Sequence, residues 1–259
     1  MPTPFYHLSL AQELVHSQAL PTAAQTLLER NLGAFLLGNI APDVQVVSGQ
    51  PRQETHFFDL PLQSNSMPPW QQMLKSYPEL LPASGLPEDQ RAFIAGYLCH
   101  LQADWRWVQQ IFVPVFGLHS PWGTFEQRLM FHNVLRAYLD EQILPSLQPQ
   151  WGHRLELVTP KRWLPFVHDS HLVQWRDLIA EQLKPGSKVA TAEVFAARQG
   201  LQVEEFVRLV RSPSILQEMI FSRLPMTRLT AFRQQILTES LRLVQETLIS
   251  VSDYRLRKL

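Results

Sequence analysis

The chain has 259 residues, of which 45% are apolar, so it is long enough to bury a sizeable core in one large domain or in a domain with an appendage. Basic and acidic residues each number 23, so the formal net charge is zero and no overall field attracts nucleic acid or an anionic membrane. The single cysteine, Cys99, excludes an internal disulfide framework.

The first residues, Met1 to His7, lack the basic and apolar regions of a secretory signal peptide. Apolar stretches such as Ala34 to Leu37 are far shorter than the about 20 residues that a membrane-spanning helix needs. We therefore expect a cytoplasmic protein without a transmembrane segment. A membrane lipid could still be its substrate.

Apolar residues recur at helical spacing along most of the chain, as at Leu8, Ala11, Leu14 and Val15. Alternating patterns typical of strands are nearly absent, so the sequence predicts an all-α, multi-helix bundle. Twenty prolines divide the chain into helical blocks, and the clearest predicted loop runs from Asn39 to Pro69.

The segment from Leu86 to Phe116 is predicted to be a central, buried helix. It opens with Pro87-Glu88-Asp89, and acidic residues favour the first turn of a helix. The rest of the segment is apolar on nearly every face, which is typical of a helix surrounded by other elements.

A second helical region is predicted after Pro185-Gly186-Ser187. We therefore divide the chain into a helical domain of residues 1–184 and a C-terminal helical extension, residues 185–259, packed on it. Arginines in the extension are offset by glutamates, so no nucleic-acid partner is expected. The predicted helices of this region are Glu193 to Arg198, Val203 to Val210, Ser214 to Arg223 and Arg228 to Ser252.

His100 and Asp104 lie four residues apart in the predicted central helix, so they share one face and can hold one metal ion. Asp104 stands among Ala103, Trp105 and Trp107, and a carboxylate buried there needs a cation or a hydrogen-bond partner. An ordinary hydrogen bond within the helix would also explain this spacing, so the pair alone leaves metal binding open.

Two polar residues of the predicted loop extend this pair. Asp43 follows Gly38-Asn-Ile-Ala-Pro, and His56 stands in Glu54-Thr-His-Phe-Phe-Asp. A proline-rich loop can fold over the central helix and bring both residues to one point.

Four phrases of the sequence resemble the bacterial zinc-dependent phospholipase C family, which is related to the single-strand-specific zinc nucleases. They are Phe5-Tyr-His-Leu, Leu36-Leu-Gly-Asn-Ile-Ala-Pro-Asp, Thr55-His-Phe and Gly96-Tyr-Leu-Cys-His-Leu-Gln-Ala-Asp. The resemblance extends over roughly residues 3 to 145.

The resemblance implies that Asp43, His56, His100 and Asp104 bind one zinc. Two imidazoles and two carboxylates suit this metal. In the family, a second zinc is held by the N-terminal amine and carbonyl, by a histidine that matches His7 and by the bridging carboxylate of Asp104. In this chain six residues precede His7, so the amine of this second site is not assured.

The third zinc site of the family uses a histidine six residues after the helical aspartate and then a His-x-x-x-Glu pair. This chain has Gln110 at the first position and His132-x-x-x-Arg136 at the second. An arginine stays protonated and cannot bind zinc, so we expect no third site of the family type. Instead, we expect His132 to hydrogen-bond near the site and Asp140 to pair with Arg136.

The resemblance implies a zinc-dependent hydrolase of a phospholipid or other phosphoester, which uses a zinc-bound water. Asp43 or Asp104 would accept the proton of that water. The incomplete third site leaves open a non-catalytic helical protein that keeps one structural zinc site or a hydrogen-bonded His/Asp network. The sequence leaves the oligomeric state open.

Other polar and aromatic residues are assigned no site. The segment His168 to His171 is expected to be solvated, His16 and His119 lack matching partners, and Cys99 is expected to pack as an apolar residue. The following aromatic residues are expected to belong to the core: Trp105, Trp107, Phe112, Phe116, Trp122, Phe125 and Phe131.

Overall fold

The computed structural model describes residues 1–62, 66–81 and 85–249. Every regular element of these residues is helical, and they contain no strand, so the predicted all-α fold is confirmed. In this described part, no helix is both long enough and apolar enough to span a bilayer.

Alpha-helices of very different length follow one another along the chain and are joined by short 3₁₀ and π-helical turns. The α-helices are α1 (Pro4–Val15), α2 (Thr22–Arg30), α3 (Leu32–Ile40), α4 (Gln45–Ser48), α5 (Arg52–His56), α6 (Pro69–Ser76), α7 (Glu88–Trp107), α8 (Phe125–Ile143), α9 (Trp151–Glu156), α10 (Asp169–Gln182), α11 (Thr191–Gln199), α12 (Val203–Val210), α13 (Pro213–Ile215) and α14 (Met226–Leu248). The 3₁₀ helices span Ala41–Val44, Pro78–Leu80 and Leu144–Ser146, and the π-helical turns span Val108–Phe116 and Leu216–Phe221.

Helix α7 is the predicted central helix. Glu88 and Asp89 form its first turn, and every residue from Ala92 to Asp104 is buried. The α-helix ends earlier than predicted, at Trp107. A π-helical turn that contains Pro114 follows it. Because proline has no N–H to donate, a regular α-helix cannot continue unbroken through this segment.

Helices α3 and α7 pack with their backbones in close approach. A Cβ atom at Gly38 would lie 2.0 Å from the carbonyl oxygen of Phe93, and one at Gly96 would lie 2.3 Å from that of Phe35. No residue other than glycine fits these positions without moving a backbone. The contact brings the end of α3 against the middle of α7.

The prediction of a loop from Asn39 to Pro69 was wrong in part, because short helices occupy much of this segment. Asp43 lies in the 3₁₀ helix Ala41–Val44, and His56 is the last residue of α5. Pro42 lies in the first turn of the 3₁₀ helix, and Pro51 is the N-cap of α5. Proline is well tolerated at such positions, so these prolines begin helices as well as separating them.

The C-terminal helices α11 to α14 pack on the preceding part of the chain. A buried cluster joins Tyr6 and Trp107 to Phe206 and Phe232. Glu239 on α14 accepts hydrogen bonds from Arg106, with Nε and Nη2 at 2.9 and 3.0 Å. The domain boundary after residue 184 stays a prediction.

The predicted C-terminal helices correspond to observed elements. The segment 193–198 lies within α11, 203–210 is α12, and 214–223 is a short α13 followed by a π-helical turn. The long amphipathic helix is α14, which begins two residues earlier than predicted and ends at Leu248. The end of that prediction, residues 250–252, lies outside the described part.

Candidate metal centre

Five side chains converge at one point inside the bundle, and we refer to them as the His/Asp cluster: His7, Asp43, His56, His100 and Asp104. They come from α1, the 3₁₀ helix Ala41–Val44, the end of α5 and the middle of α7. The three histidines and Asp104 have side-chain exposures of 1% or less, whereas the side chain of Asp43 is 19% exposed.

Asp104 lies at the centre of the His/Asp cluster. Its Oδ1 is 3.3 Å from His7 Nε2, and its Oδ2 is 3.4 Å from His56 Nε2 and 3.8 Å from His100 Nε2. Asp43 Oδ1 is 3.4 Å from His56 Nε2. Two overlapping groups of possible ligands result, His7–His100–Asp104 and Asp43–His56–His100, and the ligand atoms in each lie within 4.8 Å of one another.

Several polar atoms of the His/Asp cluster are buried without a hydrogen-bond partner. They are the Nε2 atoms of His7, His56 and His100 and the Oδ1 atom of Asp104. Buried polar atoms in folded proteins nearly always have a partner, so their convergence indicates a place for an ion. Imidazole nitrogens with carboxylate oxygens are a donor set that fits zinc.

Hydrogen bonds behind the imidazoles fix their orientation. His100 Nδ1 lies 2.8 Å from the carbonyl oxygen of Asn39. A carbonyl can only accept, so His100 Nδ1 donates, and the Nε2 of the neutral ring presents its lone pair to the cluster. His56 Nδ1 lies 3.0 Å from Thr55 Oγ1, which turns the Nε2 of this ring to the same point.

The protonation states suit metal binding. Burial lowers the pKa of His100 to about 3 and also lowers the pKa of His56. Burial alone raises the pKa of Asp104, but contact with His7 and the nearby His100 outweigh it, so this pKa lies well below its usual range. The pKa of Asp43 is also lowered, because its contact with His56 and the nearby His100 outweigh burial. Neutral imidazoles and ionised carboxylates are the forms that bind a metal.

Arg52 also contacts the cluster, and the sequence analysis missed it. Its Nη2 lies 2.5 Å from Asp104 Oδ2, and its guanidinium carbon lies 4.8 Å from the centre of the Phe58 ring. The signal for Arg52 was its spacing, since it precedes His56 by four residues and therefore shares a helical face with it.

The backbone of Met1 lies beside the cluster. Its carbonyl oxygen accepts a hydrogen bond from Arg136 Nη1 at 3.0 Å. Burial lowers the pKa of its amine to about 4, Arg136 lowers it further, and the charges of Asp104 and Asp43 oppose this change. An amine with this pKa is neutral at pH 7 and keeps a free lone pair.

Residues 3–180, more than half of the chain, match the family model of zinc dependent phospholipase C. The chain belongs to this family. All five residues of the His/Asp cluster lie inside the match, which extends past residue 145 through α9 and most of α10. No curated protein and no solved structure matched the chain.

In this phospholipase C family member, the residues at the positions of the third zinc site have partners within the protein. We refer to Gln110, His132 and Arg136 as the third-site set. His132 Nε2 accepts a hydrogen bond from Trp107 Nε1 at 2.9 Å, and Gln110 Nε2 donates to Gln235 Oε1 at 3.0 Å. The predicted hydrogen bond of His132 is therefore made, with Trp107.

The predicted pairing of Asp140 with Arg136 was wrong. Asp140 accepts hydrogen bonds from Thr3 Oγ1 and, at 2.7 Å, from Thr191 Oγ1. Arg136 instead donates to Met1 and packs over the ring of Phe195 at 4.2 Å. One helical turn places the two side chains on the same side of α8. The carboxylate, however, accepts its hydrogen bonds from hydroxyls of α11 and of the start of α1.

A cavity of about 820 Å³ lies elsewhere, between the segment before α10 and the start of α7, and no residue of the His/Asp cluster lines it. His168, at its rim, is exposed and caps α10 by accepting a hydrogen bond from the backbone of Ser170.

His16 and His119 are exposed. Cys99 is buried, and burial raises its pKa to about 12.

The aromatic residues predicted to form core mostly do so. Trp105, Trp107, Phe116 and Phe131 are buried, whereas Phe112 and Trp122 are partly buried. Phe125, the first residue of α8, is exposed, so the prediction was wrong for this residue. Only the aromatic residues that face other helices contribute to the core.

Proposed function

We propose that the chain is a zinc-dependent, phosphodiesterase-type hydrolase that acts on a phospholipid or another phosphoester. The observation that carries this proposal is the convergence of three buried imidazole nitrogens and two carboxylates in a chain of the zinc-dependent phospholipase C family. A cytoplasmic location remains part of the proposal.

Asp43, His56, His100 and Asp104 would hold the first zinc, and His7 with the second oxygen of Asp104 would hold another. The two oxygens of Asp104 face different imidazoles, which supports a bridging role for this carboxylate. When bound, zinc supplies a Lewis acid and lowers the pKa of a bound water to about 7.

The two carboxylates differ in access to solvent, and this suggests how they divide the work. The side chain of Asp43 is 19% exposed, whereas that of Asp104 is 1% exposed. Asp43 is therefore better placed to accept a proton from an attacking water and pass it to solvent. Asp104, in contact with three imidazoles, fixes their relative positions and supplies charge.

A second candidate function is a non-catalytic helical protein with one structural zinc. The observation that favours it is the third-site set, in which each residue has a hydrogen-bond partner within the protein. Phosphodiester hydrolysis often uses two or more metals, so fewer metals would favour this alternative.

The two functions can be separated on one sample. Zinc per chain is measured by plasma mass spectrometry on purified, chelator-rinsed protein, and phosphodiester turnover is measured at once on the same material. We expect bound zinc with turnover that a strong chelator abolishes and added zinc restores. The variant His119→Ala serves as a matched control, since it removes an exposed histidine and should keep both zinc and turnover. One zinc without turnover would support the structural role, and no zinc would contradict both functions.

A further inference from the structure

Arg52 is the cation that reaches the His/Asp cluster from the solvent side. Its side chain is 27% exposed, whereas the Asp104 side chain that it contacts is 1% exposed. We propose that Arg52 binds the phosphoryl group of the substrate after a metal has taken over Asp104. This inference rests on the proposed function and adds a residue that recognises the anionic part of the substrate.

The contact between Arg52 and Asp104 uses an atom that a metal would need. Asp104 Oδ2 lies 2.5 Å from Arg52 Nη2 and also faces the Nε2 atoms of His56 and His100, both within 3.8 Å. A divalent ion held by these imidazoles and this oxygen would repel a guanidinium bonded to the same oxygen. Metal binding therefore releases Arg52 from Asp104.

The released guanidinium keeps a second contact beside the His/Asp cluster. It rests over the ring of Phe58 at 4.8 Å, and this contact does not involve Asp104. Asp43 is the partly exposed member of the His/Asp cluster, with a side chain that is 19% exposed. A planar guanidinium presents paired N–H groups that match two oxygens of a phosphate, so an anionic phosphoester is the ligand that fits.

Metal binding also changes the net charge of the site in favour of an anion. The two carboxylates and Arg52 together carry one net negative charge, which repels an anion. One divalent ion reverses this to one net positive charge. The site therefore attracts a phosphate only when the metal is present, and Arg52 contributes a permanent part of that attraction.

Arg136 also lies near the cluster, but its hydrogen bonds are made to other groups. Its Nη1 donates to the backbone of Met1, its Nη2 donates to Asn133 Oδ1, and it packs over Phe195. The hydrogen bond to Asp104 is the single one that the structure gives the Arg52 side chain within the described residues. Arg52 is thus the arginine that a metal would set free.

The test compares the full-length wild type with Arg52→Gln and Arg52→Lys. The control is Arg211→Gln, which removes an exposed arginine that pairs with Glu141 and does not belong to the cluster. Zinc affinity is measured by chelator competition. Binding of inorganic phosphate to the zinc-loaded proteins is then measured by calorimetry, without any turnover.

Loss of Arg52 should change the two affinities in opposite directions. We expect Arg52→Gln to bind zinc more tightly, because the competitor for Asp104 is gone, and to bind phosphate about 10-fold or more weakly. Arg52→Lys keeps the charge but not the paired donors, so its phosphate affinity should be intermediate. Arg211→Gln should match the wild type.

Unchanged phosphate affinity in zinc-loaded Arg52→Gln would overturn the inference, and so would the absence of phosphate binding in the wild type. If both affinities fall together, Arg52 has only a structural role. If Arg52→Gln does not fold, equal phosphate affinity in Arg52→Lys and the wild type would still overturn it. A wild type that binds phosphate through Arg52 without hydrolysing a phosphodiester would contradict the proposed function and leave this inference standing.

Discussion

The His/Asp cluster and the third-site set occupy neighbouring parts of the same bundle but differ in how their polar atoms are used. In the cluster, three imidazole nitrogens and a carboxylate oxygen are buried without a partner. In the third-site set, the histidine accepts a hydrogen bond from Trp107, the glutamine donates to Gln235, and the arginine donates to Met1. The unpartnered Nε of Arg136 is a donor that cannot bind a cation.

This difference indicates where an ion would bind. An unpartnered buried polar atom costs about 1–3 kcal/mol, and several at one point are an expense that a bound ion would remove. Polar atoms that already bond within the protein give an ion nothing to replace. The comparison therefore predicts metal binding by the cluster and none by the third-site set.

The largest effect is expected when one histidine from each region is removed. His100→Ala should lose zinc and reduce turnover by more than the about 10–100-fold that loss of an outer-shell partner costs. His132→Ala should keep its zinc and lose about 1–3 kcal/mol of stability, because Trp107 Nε1 is left without an acceptor. In both variants, metal analysis measures the zinc content and urea unfolding measures the stability. Equal loss of zinc in the two variants would refute the comparison.

The metal-free chain should lose stability in acid because of the cluster. The pKa of His100 is about 3 in the folded chain and near 6.5 when exposed, so between these values the unfolded state binds more protons. The free energy of unfolding should fall by roughly 2–4 kcal/mol as the pH drops from 6.5 towards 3. Urea unfolding of chelator-treated protein measures this slope. If the free energy of unfolding of His100→Ala depended on pH just as steeply, groups other than His100 would be responsible.

Asp140, next to the third-site set, should give a slope of opposite sign. Burial raises its pKa from 3.8 to about 7, so the folded state binds more protons than the unfolded state between these values. Its contribution to the free energy of unfolding should fall by roughly 1–3 kcal/mol as the pH rises from 4 to 7. Asp140→Asn should remove this loss, and Asp177→Asn, at a half-exposed side chain, should not. If the free energies of unfolding of the wild type and Asp140→Asn differed by the same amount from pH 4 to 7, Asp140 would not be the group responsible.

The smallest effect is expected at Gln110. Gln110→His restores a family ligand type but removes only the hydrogen bond to Gln235, which is worth about 1 kcal/mol. Zinc per chain should stay unchanged, because His132 remains bonded to Trp107 and Arg136 still cannot bind a metal. An additional zinc in this variant would show that the third-site set is closer to a working site than its hydrogen bonds indicate.

The sequence predicted the all-α fold, the central helix and the residues of the His/Asp cluster. The convergence of His7, Asp43 and His56 with α7 followed from the resemblance, because spacing along the chain does not reveal which distant segments meet. The pair His100 and Asp104 followed from helical periodicity alone.

The remaining features depend on packing that no local pattern records. The short helices between Asn39 and Pro69 form although the prolines suggested a loop, because Pro42 and Pro51 take positions at helix starts. Arg52 was missed because its role depends on Asp104, 52 positions further along the chain. Asp140 was assigned to Arg136 from their spacing of one helical turn, but hydroxyls from the start of α1 and from α11 bind this carboxylate instead.

The close approach of α3 to α7 makes the metal centre sensitive to two residues that carry no functional group. Metal–ligand distances tolerate deviations of about 0.2 Å, whereas a methyl group at Gly38 or Gly96 would meet a carbonyl oxygen at 2.0 or 2.3 Å and force the helices apart. His100 is oriented by a carbonyl of α3, so such a shift would turn the ring away from its neighbours. A relative could therefore keep every histidine and aspartate of the cluster and still lose the metal through the gain of a single side chain at one of these two glycines.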